Sequence, residues 1–326
     1  MSPEMVESWK ASVLGEGGGI AEVIIFVRDL EAAKDVYRDT LGFTVWPPPG
    51  ESAILPSGFK FGGADFEAGS LEWRAIDDAE KAAQYRPRFV NFLEKHQGPL
   101  YLVLSVSSAH STVAFLRTHG FQVGDPEPAP WMVEGTATPI WRAVTFKGFH
   151  LPVDPGTGET DASPTRAIAF VEWDASREER LRRSKSEGSS RHPNTARGIK
   201  SVWMAVRDLN TATKVYESIG LHTGRKRKLS QLNATGREIR TGQGVILLLQ
   251  PQSGDGRVFS FLADRGEGMM GVSVEVSDLR TAHTLLETNT RRKFTPYAGP
   301  YGSSILIPAE IGYGVWIELF RGEGTT

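Results

Sequence analysis

The sequence predicts an α+β chain built from four β-α-β-β-β modules arranged in two pairs. Three observations carry this reading: a strand-to-helix signature that recurs, short strand-like stretches after each recurrence, and one polar basic segment that divides the chain. The signature is plainest in Val23–Tyr37, VIIFVRDLEAAKDVY, and Val202–Tyr216, VWMAVRDLNTATKVY. Val-Arg-Asp-Leu recurs, as does a later Val-Tyr pair, followed by LGF in one copy and IGL in the other. In each copy an apolar strand runs into Asp, a good helix N-cap, and then into apolar residues three and four apart. A glycine just past the helix is the usual C-cap.

Weaker echoes lie at Leu100–Phe121 and Met270–Glu287, which repeat the order strand, cap, helix. The four starts therefore fall near residues 21, 100, 200 and 271. Each is followed by three further strands, of which the last is clearest: SLEWRAI, AIAFVEW, GVILLLQ and GVWIELF. Residues 175–197 are polar, basic and Ser-rich, and read as a linker between a first domain at 20–174 and a second at 198–321. Residues 1–19, with GEGGG, read as a flexible tail, since the strand-before and helix-after context of a phosphate loop is missing.

The 326 residues, 40% hydrophobic and 23% charged, suit about two globular domains. A net charge of -2 recruits neither nucleic acid nor anionic membrane, and the basic linker lacks interleaved aromatics. Cysteine is absent, so metal binding falls to carboxylate and imidazole. The N-terminus has no basic region followed by an apolar one, and runs such as Val245–Leu249 are too short to span a bilayer. The expectation is a cytoplasmic protein whose partner is a small molecule.

The strand ending in V-R-D-L, the helix closing with V-Y, and the L-G-F that follows resemble the opening of a vicinal-oxygen-chelate module. FGGADFEAGSLEWRAIDDAEKA, FLEKHQGPLYLVLSV and AIAFVEWD resemble the glyoxalase-like branch of that superfamily. The resemblance covers nearly the whole chain beyond residue 19. It implies the glyoxalase/bleomycin-resistance/dioxygenase-like fold, in which paired modules form a cupped mixed sheet with the active site in the cup. Four modules complete two cups in one chain, so oligomerisation is not required. Pairing within each half and pairing across the halves are both open.

The resemblance also implies ligand positions on the first and last strands of each module. The first-strand positions are Glu22, Tyr101, Ser201 and Gly271. The last-strand positions are Glu72, Glu172, Leu248 and Glu318. None of the seven histidines occupies one.

Strand alternation makes the same residues interesting independently. Glu22 shares a face with Ile24 and Phe26, Glu172 with Ile168 and Phe170, and Glu72 with Ser70 and Arg74. A carboxylate on an apolar face is costly unless paired, protonated or metal-bound. Glu22, Glu72 and Glu172 converging in one cup would suit a hard divalent ion, or a general base of raised pKa. Arg74 and Arg142 would instead pair with them, or join Tyr101 in binding substrate. In the second half Glu318, near Glu275, is a weak metal ligand, and the cup reads as degenerate or as a metal-free binding site. Trp203 and Trp316 are there either walls for a planar ligand or plain core. His110 and His283 lie on helices and His150 in a loop.

Two functions follow. One is an enzyme acting on a small oxygenated organic molecule by lyase, isomerase or dioxygenase chemistry, with glutamates and one divalent ion or none. A redox iron is least favoured without two histidines, and no nucleotide cofactor is expected. The other is a metal-free protein that binds or sequesters a small molecule.

Overall fold

The computed structural model describes residues 13–133 and 136–322. The first half forms an eight-stranded sheet from β1 (Gly19–Phe26), β2 (Ala53–Leu55), β3 (Phe59–Asp65), β4 (Ser70–Ile76), β5 (Gly98–Ser105), β6 (Glu127–Val133), β7 (Thr136–Val144) and β8 (Ile168–Trp173). The second half repeats it with β9 (Ala196–Ala205), β10 (His222–Leu229), β11 (Ala234–Arg240), β12 (Val245–Pro251), β13 (Gly268–Val276), β14 (Tyr297–Gly299), β15 (Gly302–Ile307) and β16 (Trp316–Gly322). The strand orders are β2-β3-β4-β1-β5-β8-β7-β6 and β10-β11-β12-β9-β13-β16-β15-β14. Modules therefore pair within each half, through the antiparallel contacts of β1 with β5 and β9 with β13.

Each module helix is started by the expected side chain. Asp29, Ser108, Asp208 and Asp278 each accept a backbone N–H from the first turn, satisfying donors that the helix cannot. These four caps also fix the alignment of the modules.

Alternation along β1 separates two layers. Val23, Ile25 and Val27 join the helices in a core that continues into the second half, through Val202, Met204 and Val272. Ile24 and Phe26 face the other way, into a smaller cluster with Phe59, Phe89, Tyr101 and Phe149. In the second half Trp203, Leu247, Leu249 and Met270 form the corresponding cluster. The helix-bearing faces of the sheets thus share one core, and each concave face keeps its own. Helices Pro87–Lys95 and Arg257–Arg265 put Phe89 and Leu93, or Val258 and Leu262, into those concave clusters.

Two reciprocal contacts join the halves. Gly19 bridges Gln243, and Ala68 bridges Gly198, all at equivalent places in the repeat. Gly19 is forced by this contact, since a Cβ there would lie 2.7 Å from that of Gln243. Residues 13–19 are therefore not a free tail, and the rest of that expected segment, residues 1–12, lies outside the described residues. Val13 and Leu14 are buried, and Val13 accepts a hydrogen bond from Thr112, because apolar residues beside the inter-half joint have a core to enter. The expected linker also contains a helix, Arg177–Glu187, with a Ser176/Glu179 capping box and Gly188 as a left-handed C-cap.

Candidate functional site

In the first cup Glu22 projects from β1 and Glu72 from β4, on the concave side. Strand register sets Ile24 opposite both Glu72 and Tyr101, and Glu22 opposite Val103. Arg74, two residues beyond Glu72 on the same face, links the group. Its Nε donates to Glu72 Oε1 at 2.5 Å, and its Nη1 donates to the Tyr101 hydroxyl at 2.6 Å. Glu72 is buried and this pairing compensates its charge. Among the described residues Glu22 has no such partner. Burial, then the charge of Glu72, push its carboxyl up to about 8, against the opposing pull of Arg74. Burial also raises the Tyr101 phenol, so it stays protonated with its own hydrogen free to donate.

Arg86, a half-buried residue between two short helices, carries no signal of its role in the sequence. Its charge acts on both Tyr101 and His150. Burial together with Arg86, Arg74, Arg88 and Arg166 pushes His150 down to about 2, so this ring is neutral and this end of the cup is positive. Arg88 and Arg166 are structural: Arg88 pairs with Asp161 at 2.7 Å and donates to the Phe149 and Arg166 carbonyls.

Two expected members of the site lie elsewhere. Glu172 shares a face with Ile168 and Phe170, and that is the face packed against the shared core. There it accepts the backbone N–H of Ala109 at 2.8 Å, at the N-terminus of helix Ala109–Thr118. Arg142, on the neighbouring strand, bonds Asp174 at 3.1 Å and lies 4.0 Å from Glu172. The concave last-strand position of module two is Ala169, which pairs with Val103 as Glu72 pairs with Ile24. By the same register Leu247, not Leu248, holds the place in module three, and Glu318 holds it in module four.

A divalent ion does not fit this donor set. Among the described residues no three His, Asp or Glu side chains group together as metal ligands. With Glu172 on the far face, Glu22 and Glu72 remain, and a guanidinium already occupies Glu72.

The open end of this cup carries Trp141 and Trp173, rings 5.4 Å apart. Helix Arg177–Glu187 reaches it: the Arg180 guanidinium sits 4.5 Å over the Trp173 ring, and its charge acts on Glu22. Lys185 anchors the helix to Glu67 at 3.2 Å.

The second cup holds a different constellation. Ser201 and Ser273 face each other on β9 and β13, 2.9 Å apart, and Trp203 Nε1 donates to Ser273 at 2.9 Å. Ser273 donates to Glu318 Oε2 at 2.6 Å, and Tyr297 donates to Oε1 at 2.7 Å. Glu318 is fully buried and its carboxyl is raised, chiefly by burial. Trp203 is thus a buried member of this network. Trp316 is half-buried beneath Arg257, 5.1 Å away, beside the helix that fills the other end of the cup. The parts played by Ser273 and Tyr297 carried no sequence signal, since neither occupies a ligand position of the repeat.

The glyoxalase-like domain family model matches residues 23–220. A mutant of 4-hydroxymandelate synthase from Streptomyces coelicolor superposes with a TM-score of 0.61 at 13% identity, over 95% of this chain and 94% of that one. A hypothetical protein from Staphylococcus aureus gives a TM-score of 0.60 at 10% identity, over 93% of this chain and 99% of its own. At such identities the likeness is one of fold. No curated protein matches the sequence. Among the described residues no helix is long and apolar enough to cross a membrane.

Proposed function

The chain belongs to the glyoxalase-like family of the vicinal-oxygen-chelate superfamily, and from that premise we propose that its first cup is a metal-independent acid–base site. The substrate is a small oxygenated organic molecule with a carbonyl group, and the reaction is of the isomerase or lyase type. The observation that carries this is Glu22, a carboxyl raised to about 8 beside the Arg74–Tyr101 donor pair. A group poised near the working pH both takes and returns a proton efficiently.

In the simplest step Glu22 carboxylate removes a proton from the carbon next to the carbonyl. The C–H electron pair moves to the carbonyl oxygen, giving an enolate. The Tyr101 hydroxyl, polarised by Arg74, donates a hydrogen bond to that oxygen. Return of the proton from Glu22 to carbon completes an isomerisation; loss of a group from the adjacent carbon completes an elimination. Arg86 favours an anionic substrate by its charge. Helix Arg177–Glu187 shields the reacting carbon from water at the open end.

The test is exchange of carbon-bound hydrogen for deuterium in D2O, followed by NMR, over small 2-oxo acids, 2-hydroxy ketones and thioesters. Exchange that survives EDTA and disappears in Glu22→Gln supports the site. Exchange unaffected by Glu22→Gln, or abolished by EDTA, overturns it. A binding or sequestering role is the second reading, and the open cavity of the second cup favours it for that half.

A further inference from the structure

We propose that the second cup is a separate binding site for a small carboxylic acid with a planar, apolar body. A cavity of about 960 Å³ opens there, within the size range of small-molecule pockets. It is the counterpart of the end that helix Arg177–Glu187 reaches in the first half. Register makes Gly322, on its wall, the equivalent of Trp173.

The cations at this cavity are Lys200, Arg225 and Arg227. Arg227 is committed to Glu238 at 2.5 Å and to the Pro300 carbonyl at 2.9 Å. The Lys200 and Arg225 side chains form no ion pair among the described residues, and the Arg225 backbone N–H donates to Glu238 Oε2 at 3.3 Å. Lys200 reaches the concave side because β9 is irregular there: Ser201 pairs with Ser273, while Ile199 pairs with Val274 on the core side. Its ammonium lies 5.8 Å from the centre of the Tyr301 ring. Glu275 is the other acidic group on the wall, which leaves the cavity net positive by one charge. Burial raises the carboxyl of Glu318 beneath it, against the hydrogen bonds it accepts from Ser273 and Tyr297.

The Tyr301 hydroxyl is buried beside Ser201, so this residue lines the cavity with its ring rather than its hydroxyl. The Ser201–Ser273–Glu318–Tyr297 network ties the floor together, and the β14–β15 hairpin lies close upon it. A Cβ at Gly299 would come within 2.5 Å of Glu318 Oε1. Phe320, Pro296 and Tyr297 supply the apolar wall for the ligand body. A carboxylate head at Lys200 and Arg225, with a flat body against that wall, uses all these features. A neutral amide of the same shape does not.

The experiment is calorimetric titration of the full chain with benzoate, cinnamate and indole-3-acetate, beside benzamide. Saturable binding of at least one acid, with benzamide about ten-fold weaker or unbound, is expected. The Lys200→Ala/Arg225→Ala variant, altered at the rim, weakens the acid about ten-fold. Glu22→Gln leaves it unchanged, which separates this site from the first cup. No saturable binding by any of the three acids, equal binding of benzamide, or indifference to the rim substitutions overturns the proposal.

Discussion

Tyr37 in the first half donates its hydroxyl to the carbonyl of Gly312 in the second, and Tyr216 in the second donates to Ala162 in the first, each at 2.9 Å. The two tyrosines are the same residue of the repeat, the last letter of its Val-Tyr pair. Both are buried on the helix side, away from either cup. The most legible repeat in the sequence therefore marks the joint between the halves rather than the chemistry.

Tyr37→Phe and Tyr216→Phe should each cost about 1–2 kcal/mol, because each leaves a carbonyl in the joint without its donor. Urea unfolding of both single variants checks this. Losses near zero would show that water replaces the phenol and that the joint is looser than described.

Glu22 makes stability depend on pH. Its folded pKa, about 8, lies above the ordinary value of 4.5, so between these limits the folded chain keeps a proton that the unfolded chain has lost. Raising pH through that window lowers stability, and above about 8 the loss is complete. The charges bearing on Glu22 are Glu72 and Asp65, which sustain the shift, and Arg74 and Arg180, which oppose it. Glu22→Gln should leave the melting temperature near wild type at pH 5 and raise it by several degrees at pH 9. A constant difference across the range would exclude the raised carboxyl.

Arg74→Met should destabilise by about 3–5 kcal/mol, the usual cost of leaving a buried carboxylate unpaired. Adding Glu72→Gln to it should recover much of the loss, since no buried charge then remains. The double-mutant cycle, read by denaturant titration, is decisive: additive losses would mean that the short contact contributes nothing.

Glu172→Ala should cost about 1 kcal/mol by removing the acceptor at Ala109. It should leave deuterium exchange and acid binding at wild-type rates and affinities. A strong loss of exchange with the fold intact would return Glu172 to the site.

The Glu172 result shows where the sequence stops being informative. Four modules, their caps and the last strands could be read because helix starts need particular side chains and strands alternate. Alternation grouped Glu172 correctly with Ile168 and Phe170. It did not say which face was the cup, because β1 and β8 carry apolar residues on both sides and each side has a core to enter. Pairing within halves was hidden for the same reason, since β1 would suit β5 or β13 equally in pattern. Leu248 was one residue off because the VILLL run offers no polar residue to set its phase. In the second cup Ser273 and Tyr297 draw their meaning from Glu318, which the fold alone brings to them.

The reciprocal joint has a consequence for what the two cups can become. In a true homodimer every substitution appears twice, so both pockets must accept it together. Here the two-fold arrangement is kept within one polypeptide, and each pocket is encoded separately. The matched tyrosines and strand bridges hold the partnership, while Glu22 faces one cup and Ser201, at the equivalent position, faces the other. One polypeptide thereby builds two different cups without giving up the symmetry that assembles it.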